Sequence, residues 1–303
     1  MSQINRKGDF PKNLVEFEKR FSTEEACRTY LLQVRWPDGF RCPECDSNQS
    51  WKTSRDTLFC IACKRQTSVT AGTIFDRTRQ PLELWFKAIW LIVSEKNGIS
   101  ALGLQRQLGL SRYETAWTML KRLRHAMVRP GRELLSGKVE VDETLVGGPT
   151  AGRKGRDYEG KALVVIAAEK DGNKTGRIRM KKIPDASSET LESFIQANIE
   201  KDSLVETDGW KGYRGLTKLK YKHRCINGES VGIDELLPRV HQAASLLKRW
   251  LLGTHQGGVD KTNFDSYLDE FTFRFNRRAS GSRGKLFRRL IEQAVQITPA
   301  YKM

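Results

Sequence analysis

The chain has 303 residues, of which 38% are hydrophobic and 29% charged, so it is long enough for two or three domains with a sizeable core. It contains no run of roughly 18 apolar residues and its first residues are polar, which excludes a membrane span and a secretory signal and predicts a cytoplasmic protein. A net charge of +17 favours a polyanionic partner such as nucleic acid over a merely basic surface. Clusters of basic residues at 170–182, 211–224 and 274–289 are typical of grooves that follow phosphates.

Residues 1–37 predict helices, and residues 38–70 alternate turns with short strands. The second segment holds four cysteines in two Cys-x-x-Cys pairs. Each pair brings two thiolates within reach of one ion, and Zn²⁺ binds four of them in a tetrahedron, whereas disulfides are rare in a reducing compartment. The spacing therefore predicts a zinc ribbon, which would bind DNA, bind a protein or only brace the fold. The predicted ligands of the structural Zn²⁺ are Cys42, Cys45, Cys60 and Cys63.

Residues 80–128 are strongly helical in pattern, and 98–127 have the pattern of a helix-turn-helix. Ser100 and Ser111 are expected to cap its two helices. A basic outer face on the second helix predicts contact with a DNA groove. The alternative is an ordinary helical hairpin whose charges are solvated. The expected DNA contacts are Arg112, Lys121, Arg122 and Arg124.

The segment 137–225 alternates strand and helix patterns, and helices are predicted from Leu236 to Ile297. One helix is expected at 187–200, and the glycine-rich, basic stretch 147–160 predicts a flexible hairpin or loop. Strands are expected at 138–147, 161–169, 176–183, 203–208 and 221–225.

Two predicted strands end in the same pattern, Glu-x-Asp, within "VEVDETLVGG" (139–148) and "LVETDGWKGY" (204–213). Side chains two apart on a strand share a face, so Glu140 points with Asp142 and Glu206 with Asp208. Acids gathered in a mostly apolar sheet repel one another unless a cation lies between them. Hard divalent cations prefer carboxylate oxygens, which predicts a Mg²⁺ or Mn²⁺ site of the kind used in phosphoryl transfer. The alternative is a pair of solvated strand ends.

Several stretches together resemble the bacterial insertion-sequence transposases of the DDE type, in the branch with an N-terminal zinc ribbon. Their order and spacing span residues ~20 to 290 of the chain. The resemblance implies an RNase-H-like catalytic domain, metal-dependent cutting and joining of double-stranded DNA at transposon ends, and a homo-oligomer on DNA. The matching stretches are "CPEC…CIAC", "TAGTIFDRTRQPLELWF", "VEVDETLVGG", "TDGWKGY", "SLLKRWLLGTHQG" and "YLDEFTFRFNRR".

By this resemblance, Asp142 and Asp208 are the first two catalytic carboxylates. The third metal ligand is expected on a helix, seven residues before a basic residue. Lys248 matches the basic residue and is expected to contact the DNA backbone near the scissile phosphate, unless it is a surface lysine.

Counting back seven residues from Lys248 gives His241, where related enzymes place Glu. A histidine would bind Mn²⁺ more readily than Mg²⁺, and the alternative is a helix-cap or core histidine. A second alignment places Leu246 at this position, and the nearest acid is Glu235.

An amphipathic helix with Leu268, Phe271 and Phe275 inward and Phe273 partly exposed precedes the basic sequence "RFNRR". Its arginines resemble DNA contacts, and the alternative is a solvated basic helix end. They are Arg274, Arg277 and Arg278.

The sequence thus predicts a multidomain α+β protein. The expected domains are an N-terminal helix with the zinc ribbon (1–75), a helix-turn-helix region (76–134) and an RNase-H-like α/β domain with a mixed sheet and C-terminal helices (135–303). The leading hypothesis is an active transposase. The alternatives are a catalytically decayed transposase acting as a sequence-specific DNA-binding protein and, third, a nuclease for RNA–DNA hybrids.

Overall fold

The computed structural model describes residues 10–147, 161–226, 236–256, 259 and 261–298. Nearly all of the predicted loop 147–160 lies outside the described residues, and so does Glu235. The chain divides into two compact units: unit 1 is Met1–Arg129 with Ser280–Met303, and unit 2 is Pro130–Ala279. The three predicted domains stay a prediction. Within the described ranges, every helix is too short or too polar to cross a membrane.

Unit 1 consists mainly of helices, and two of them begin at a side chain that caps the first turn. The hydroxyl of Thr23 accepts a hydrogen bond from the backbone N–H of Ala26 at 3.2 Å, and Ser100 accepts one from Gly103 at 3.0 Å. Each bond satisfies a donor that the first helical turn leaves without a partner. The helices are α1 (Leu14–Arg20), α2 (Glu24–Arg35), α3 (Leu82–Ser94), α4 (Ala101–Leu108), α5 (Tyr113–Ala126) and α9 (Arg283–Ala294).

The core of unit 1 is aromatic, and the buried ring of Phe287 on α9 lies at its centre. Aromatic rings at these separations attract one another beyond the effect of burial alone. The ring centroid of Phe287 lies 5.3 Å from that of Phe17, 5.4 Å from Phe21, 5.6 Å from Phe86 and 5.9 Å from Trp90.

Between α2 and α3, unit 1 also carries a small antiparallel sheet in the order β1-β2-β3. Its strands are β1 (Ser50–Lys52), β2 (Leu58–Cys60) and β3 (Gln66–Thr67). The first cysteine pair precedes β1, and the second pair begins at the last residue of β2. The predicted ribbon region is thus a region of short strands and turns.

Unit 2 is built on a mixed five-stranded sheet in the order β6-β5-β4-β7-β8. The strands β4, β5 and β6 are antiparallel, whereas β7 runs parallel to β4 and β8 parallel to β7. All five predicted strands are present, with ends within two residues of those expected. They are β4 (Lys138–Val146), β5 (Ala162–Asp171), β6 (Lys174–Ile183), β7 (Leu204–Thr207) and β8 (Lys222–Cys225).

Both faces of this sheet are covered. Alternate residues of β5 point to opposite sides, with Val164 packed in the cluster that α7 and α8 form and Val165 in the cluster that α6 forms. Near-continuous apolar strands are the sequence signature of a sheet buried on both sides. The helices are α6 (Ser188–Asn198), α7 (Pro238–His255) and α8 (Phe264–Phe275).

Two local predictions are wrong. Ser111 does not cap the second helix of the helix-turn-helix region: Arg112 has extended backbone angles (φ −124°, ψ 135°), so α5 begins one residue later without a side-chain cap. Phe273 is 3% exposed because α8 is covered on several sides, including by the guanidinium of Arg277, 4.0 Å from the Phe273 ring centroid.

Candidate active site and zinc centre

The four cysteines of the ribbon converge on one point. Their sulfur atoms all lie within 4.8 Å of one another, with Cys42 and Cys63 3.5 Å apart and Cys45 and Cys60 3.6 Å apart. A tetrahedral Zn²⁺ with bonds of about 2.3 Å requires sulfur atoms about 3.8 Å apart. The thiolate donors and their spacing therefore fit a structural zinc ion.

The two knuckles that hold these cysteines have the same backbone design. In each, the residue four positions after the first cysteine donates its N–H to that cysteine's carbonyl: Asp46 to Cys42 at 2.9 Å and Lys64 to Cys60 at 3.0 Å. Both donors have left-handed backbone angles, with φ of 58° and 62°. These tight turns direct the cysteine side chains of each knuckle toward the same side.

In unit 2, the carboxylate of Glu140 fixes the start of α7. It is 2% exposed and accepts hydrogen bonds from the backbone N–H groups of Arg239 at 2.7 Å and Val240 at 3.2 Å. The guanidinium of Arg239 donates a third bond at 2.7 Å. Glu140 thus supplies from β4 the acceptor that the first turn of α7 lacks, because Leu237 offers no side-chain cap.

Two residues beyond Glu140 on the same face, Asp142 meets His241 in the first turn of α7. The Nε2 atom of His241 lies 3.4 Å from the Oδ2 atom of Asp142. Burial raises the pKa of Asp142 and the charge of Asp208 raises it further, whereas a hydrogen bond from the Glu143 backbone and the proximity of His241 lower it. Asp208 is exposed just after β7 and borders the same cavity as Asp142.

Glu206 explains the other Glu-x-Asp pattern. It is directly paired with Glu140 in the parallel register of β7 and β4 and is 2% exposed. The Nζ atom of Lys138 lies 3.1 Å from its carboxylate, and the guanidinium of Arg224 also bonds to it. In both strands the buried Glu is neutralised by the protein's own cations. The Asp two residues later lies in the middle of β4 in one case and just after the end of β7 in the other.

A third acid at this place was not predicted from the sequence. Glu143 follows Asp142 on β4, on the opposite face, and accepts a hydrogen bond from the hydroxyl of the buried Tyr213. Burial raises the pKa of Glu143 to about 7, and the charges of Asp142 and Asp208 add to that effect, whereas the Tyr213 bond lowers it. Both members of the pair lie within the quoted sequence stretches, which was the available signal.

The carboxylates border an open cavity of about 1050 Å³ beside the second half of β4 and the turn after β7. Asp142, Glu143 and Asp208 line it, together with Trp210 from the turn that follows Asp208. Among the described residues, the cysteines form the only group of three or more metal-ligating side chains whose donor atoms are already tightly gathered. The donor atoms around Asp142 are more widely spaced.

The remaining predicted residues of α7 differ in exposure. Lys248 is exposed and lies two turns beyond His241, about 10 Å along the helix. Leu246 is half-buried and packs against the apolar cluster under α7. The structure thus places His241, rather than Leu246, beside Asp142.

The predicted DNA-contacting residues at the start of α5 and along it differ in exposure and in their partners. Arg112 is exposed, and the ammonium of Lys121 lies 5.1 Å from the ring centroid of the neighbouring Trp117. Arg122 donates to the carbonyl of Ile74 at 3.0 Å and to a second carbonyl. The prediction that Arg124 lies on the outer face is wrong: it is 2% exposed because α9 also packs against α5.

Arg277 and Arg278, just after the end of α8, contact the protein itself. The guanidinium of Arg278 lies 4.1 Å from the ring centroid of Phe275 and donates to the carbonyl groups of Thr175 and Gly176 at the start of β6. Arg277 covers Phe273 in the same way, and Arg274 is half-buried. The predicted DNA contacts at these positions stay a prediction.

Comparison with known proteins defines the class. Residues 22–66 match the family model described as "Transposase zinc-ribbon domain", and residues 134–276 match "ISXO2-like transposase domain". Together the matches cover more than half of the chain.

A relative from Halobacterium salinarum, described as "Uncharacterized protein in transposable element ISH50", is 28% identical over 285 residues, which is 84% of this chain and 92% of the relative. These matches define a transposase of an insertion sequence. The chain belongs to the ISXO2-like, DDE-type transposases with an N-terminal zinc ribbon, and the resemblance predicted from its motifs is confirmed.

Proposed function

We propose that this protein is an active, metal-dependent transposase that cleaves the ends of its element and joins them to target DNA. The observation that carries the proposal is the grouping of three side chains: Asp142 on the central strand β4 lies beside His241 of α7, and Asp208, just after β7, borders the same cavity as Asp142. The strand order, three antiparallel strands followed by two parallel ones, supports an RNase-H-like catalytic domain.

Asp142, Asp208 and His241 would hold the catalytic Mg²⁺ or Mn²⁺. The donor set fits, because the pKa of Asp142 is raised by burial and by Asp208, and a cation between the two carboxylates would relieve both effects. When bound, such ions activate the attacking oxygen and neutralise the charge that develops on the phosphate.

The chain's own groups position the DNA. Glu140 holds the first turn of α7 and with it His241, and Lys248 two turns further presents an ammonium group to the DNA backbone. Lys182 and Lys211 border the same cavity as the carboxylates. A phosphate can therefore approach the acids along a basic wall, which offsets the repulsion between the two negative groups.

The helix-turn-helix region, α4 and α5, would bind the terminal repeats. Its turn is closed by Gly109 with left-handed backbone angles (φ 63°), and Arg112, Tyr113 and Leu102 are exposed on the two helices. We propose direct DNA contact for Arg112 and Lys121, with Arg122 stabilising the region through the backbone. A homo-oligomer on DNA follows because two element ends must be joined together.

Strand transfer by purified protein, with Mg²⁺ or Mn²⁺, tests the proposal. Asp142→Asn and Asp208→Asn should each reduce cleavage by orders of magnitude and leave DNA binding intact, because the amide keeps the shape and loses the charge. Asp202→Asn is the matched control, since Asp202 is an exposed turn residue with a left-handed φ of 66°, which Asn tolerates.

His241 gives the proposal a second arm. His241→Ala should weaken cleavage, the wild type should prefer Mn²⁺ to Mg²⁺, and His241→Glu should keep or raise activity with Mg²⁺. A wild type that binds element ends but cuts with neither metal would instead establish the DNA-binding regulator, which the absence of an acid at position 241 favours.

A further inference from the structure

Trp210 is held rigidly with much of its indole in solvent. The residue is 41% exposed and lies two positions after Asp208. Its ring N–H donates to the carbonyl of Ala186 at 2.9 Å, and its backbone N–H donates to Oδ1 of Asp208 at 3.0 Å. The N–H edge of the ring is thus tied to the protein at the start of α6.

Gly212 keeps this arrangement tight. A Cβ atom at Gly212 would lie 2.9 Å from Cδ1 of Trp210, 2.9 Å from the carbonyl oxygen of Ala186 and 2.9 Å from Cδ1 of Leu191. No side chain fits there without separating the turn from the start of α6. The ring is therefore preorganised, and a ligand that packs on it loses little conformational entropy in ordering it.

The surroundings of the ring point to a nucleotide. Trp210 lines the same cavity as Asp142 and Asp208, with Lys182, Lys211 and Arg214 as further cationic neighbours. The ammonium of Lys211 lies 5.5 Å from the Trp210 ring centroid. A flat aromatic surface beside cations is the combination that binds unpaired nucleotides, because the ring stacks on the base and the cations bind the phosphates.

We propose that Trp210 stacks on the base of the nucleotide next to the scissile phosphate, after that base has left the duplex. This inference rests on the proposed function, since it places the cut phosphate at Asp142 and Asp208. A base inside a duplex cannot reach a ring within a cavity, so the terminal base pair must open. Stacking would then fix the strand while the phosphate is attacked.

A binding cycle tests the stacking without any need for catalysis. Affinity is measured for a duplex carrying one end of the element, without added Mg²⁺ or Mn²⁺, with either a normal or an abasic nucleotide beside the cut. In the wild type, the abasic substitution should weaken binding by about 5- to 100-fold, the range for a lost stacked base. In Trp210→Ala, the same substitution should have no further effect.

Two variants separate stacking from structural damage. Trp210→Phe keeps a flat ring but loses the bond to Ala186, so it should retain most of the abasic effect. Trp210→Leu keeps apolar bulk without a ring and should lose it. Photo-crosslinking of 5-iododeoxyuridine at the same nucleotide should label Trp210 directly.

The inference is overturned if the abasic and Trp210→Ala effects are additive, if Trp210→Leu behaves as wild type, or if the crosslink forms elsewhere. Failure of the proposed function has a different signature. In that case the wild type cuts with neither metal. The abasic effect and the crosslink at Trp210 are measured without metal, so they report on stacking whether or not the protein cuts DNA.

Discussion

Replacing Glu140 should damage the active site without touching any predicted metal ligand. Its carboxylate is the acceptor for two backbone N–H groups in the first turn of α7 and for the guanidinium of Arg239. Removing one partner of a buried ion pair costs about 3–5 kcal/mol. We therefore expect Glu140→Ala to lower the free energy of unfolding of unit 2 by about 3–5 kcal/mol. Glu140→Gln, which keeps a carbonyl acceptor, should cost about 1–3 kcal/mol.

The effect on chemistry should exceed the effect on stability. His241 lies in the turn that Glu140 holds, 3.4 Å from Asp142, and a misplacement of about 1 Å is sufficient to reduce a catalysed rate about 100-fold. Cleavage by Glu140→Gln should therefore fall at subsaturating Mn²⁺ and recover partly at high Mn²⁺, because the looser site binds the ion more weakly. Urea unfolding and Mn²⁺ titrations of cleavage measure the two effects on the same protein.

Glu206→Gln is the control. Glu206 is equally buried on the next strand in the sheet and is paired with two cations, Lys138 and Arg224. Among the described contacts, however, no bond joins it to α7. The Glu206→Gln variant should have a lower free energy of unfolding than the wild type, and its cleavage should depend on Mn²⁺ as in the wild type. The reasoning is refuted if Glu140→Ala is as stable as wild type, or if both glutamines shift the Mn²⁺ dependence equally.

Three further results are expected. Cys45→Ser should lose the single bound zinc, seen by metal analysis, and with it the folded ribbon; a zinc-free, folded wild type would contradict this. Burial raises the pKa of Asp269 to about 7, so its contribution to stability is complete below pH about 4 and is lost as the pH rises to about 7. Across that window, the free energy of unfolding of Asp269→Asn should rise relative to that of the wild type by about 1.4 kcal/mol per pH unit, measured by urea unfolding. A difference that does not change with pH would refute the raised pKa. Arg278→Ala should lower the unfolding free energy by about 1–3 kcal/mol, because the carbonyl of Thr175 and the ring of Phe275 lose their partner; weaker DNA binding at unchanged stability would instead support a DNA contact.

Local signals in the sequence were sufficient for the elements of unit 2 and for the zinc ligands. β4, β5 and β7 are rich in apolar, β-branched residues, and each Cys-x-x-Cys pair carries its own turn geometry. His241, which the spacing to Lys248 singled out, lies 3.4 Å from Asp142. The spacing predicted only that His241 and Lys248 share one helix, as they do in α7.

The partners that are distant in sequence were not predictable in this way. Glu140 was expected to share a face with Asp142, and it does, but its bonds to residues 99 and 100 positions later depend on how α7 crosses the sheet. Arg124 was expected outside because its own helix offers no reason to bury it. Its burial comes from α9, more than 150 residues away in the chain. Tyr213 and Glu143 meet for the same kind of reason.

The position of α9 has a consequence for synthesis of the protein. Phe17, Phe21, Phe86 and Trp90 all rest against Phe287, so a chain still emerging from the ribosome leaves this aromatic cluster open to water until α9 has been made. The unit begun first is completed last, after the whole of unit 2 has been translated. A product of premature termination within unit 2 would carry an unfinished N-terminal unit with exposed rings, and should be removed by proteases or aggregate. Such fragments are therefore poor competitors of the intact protein for the same DNA.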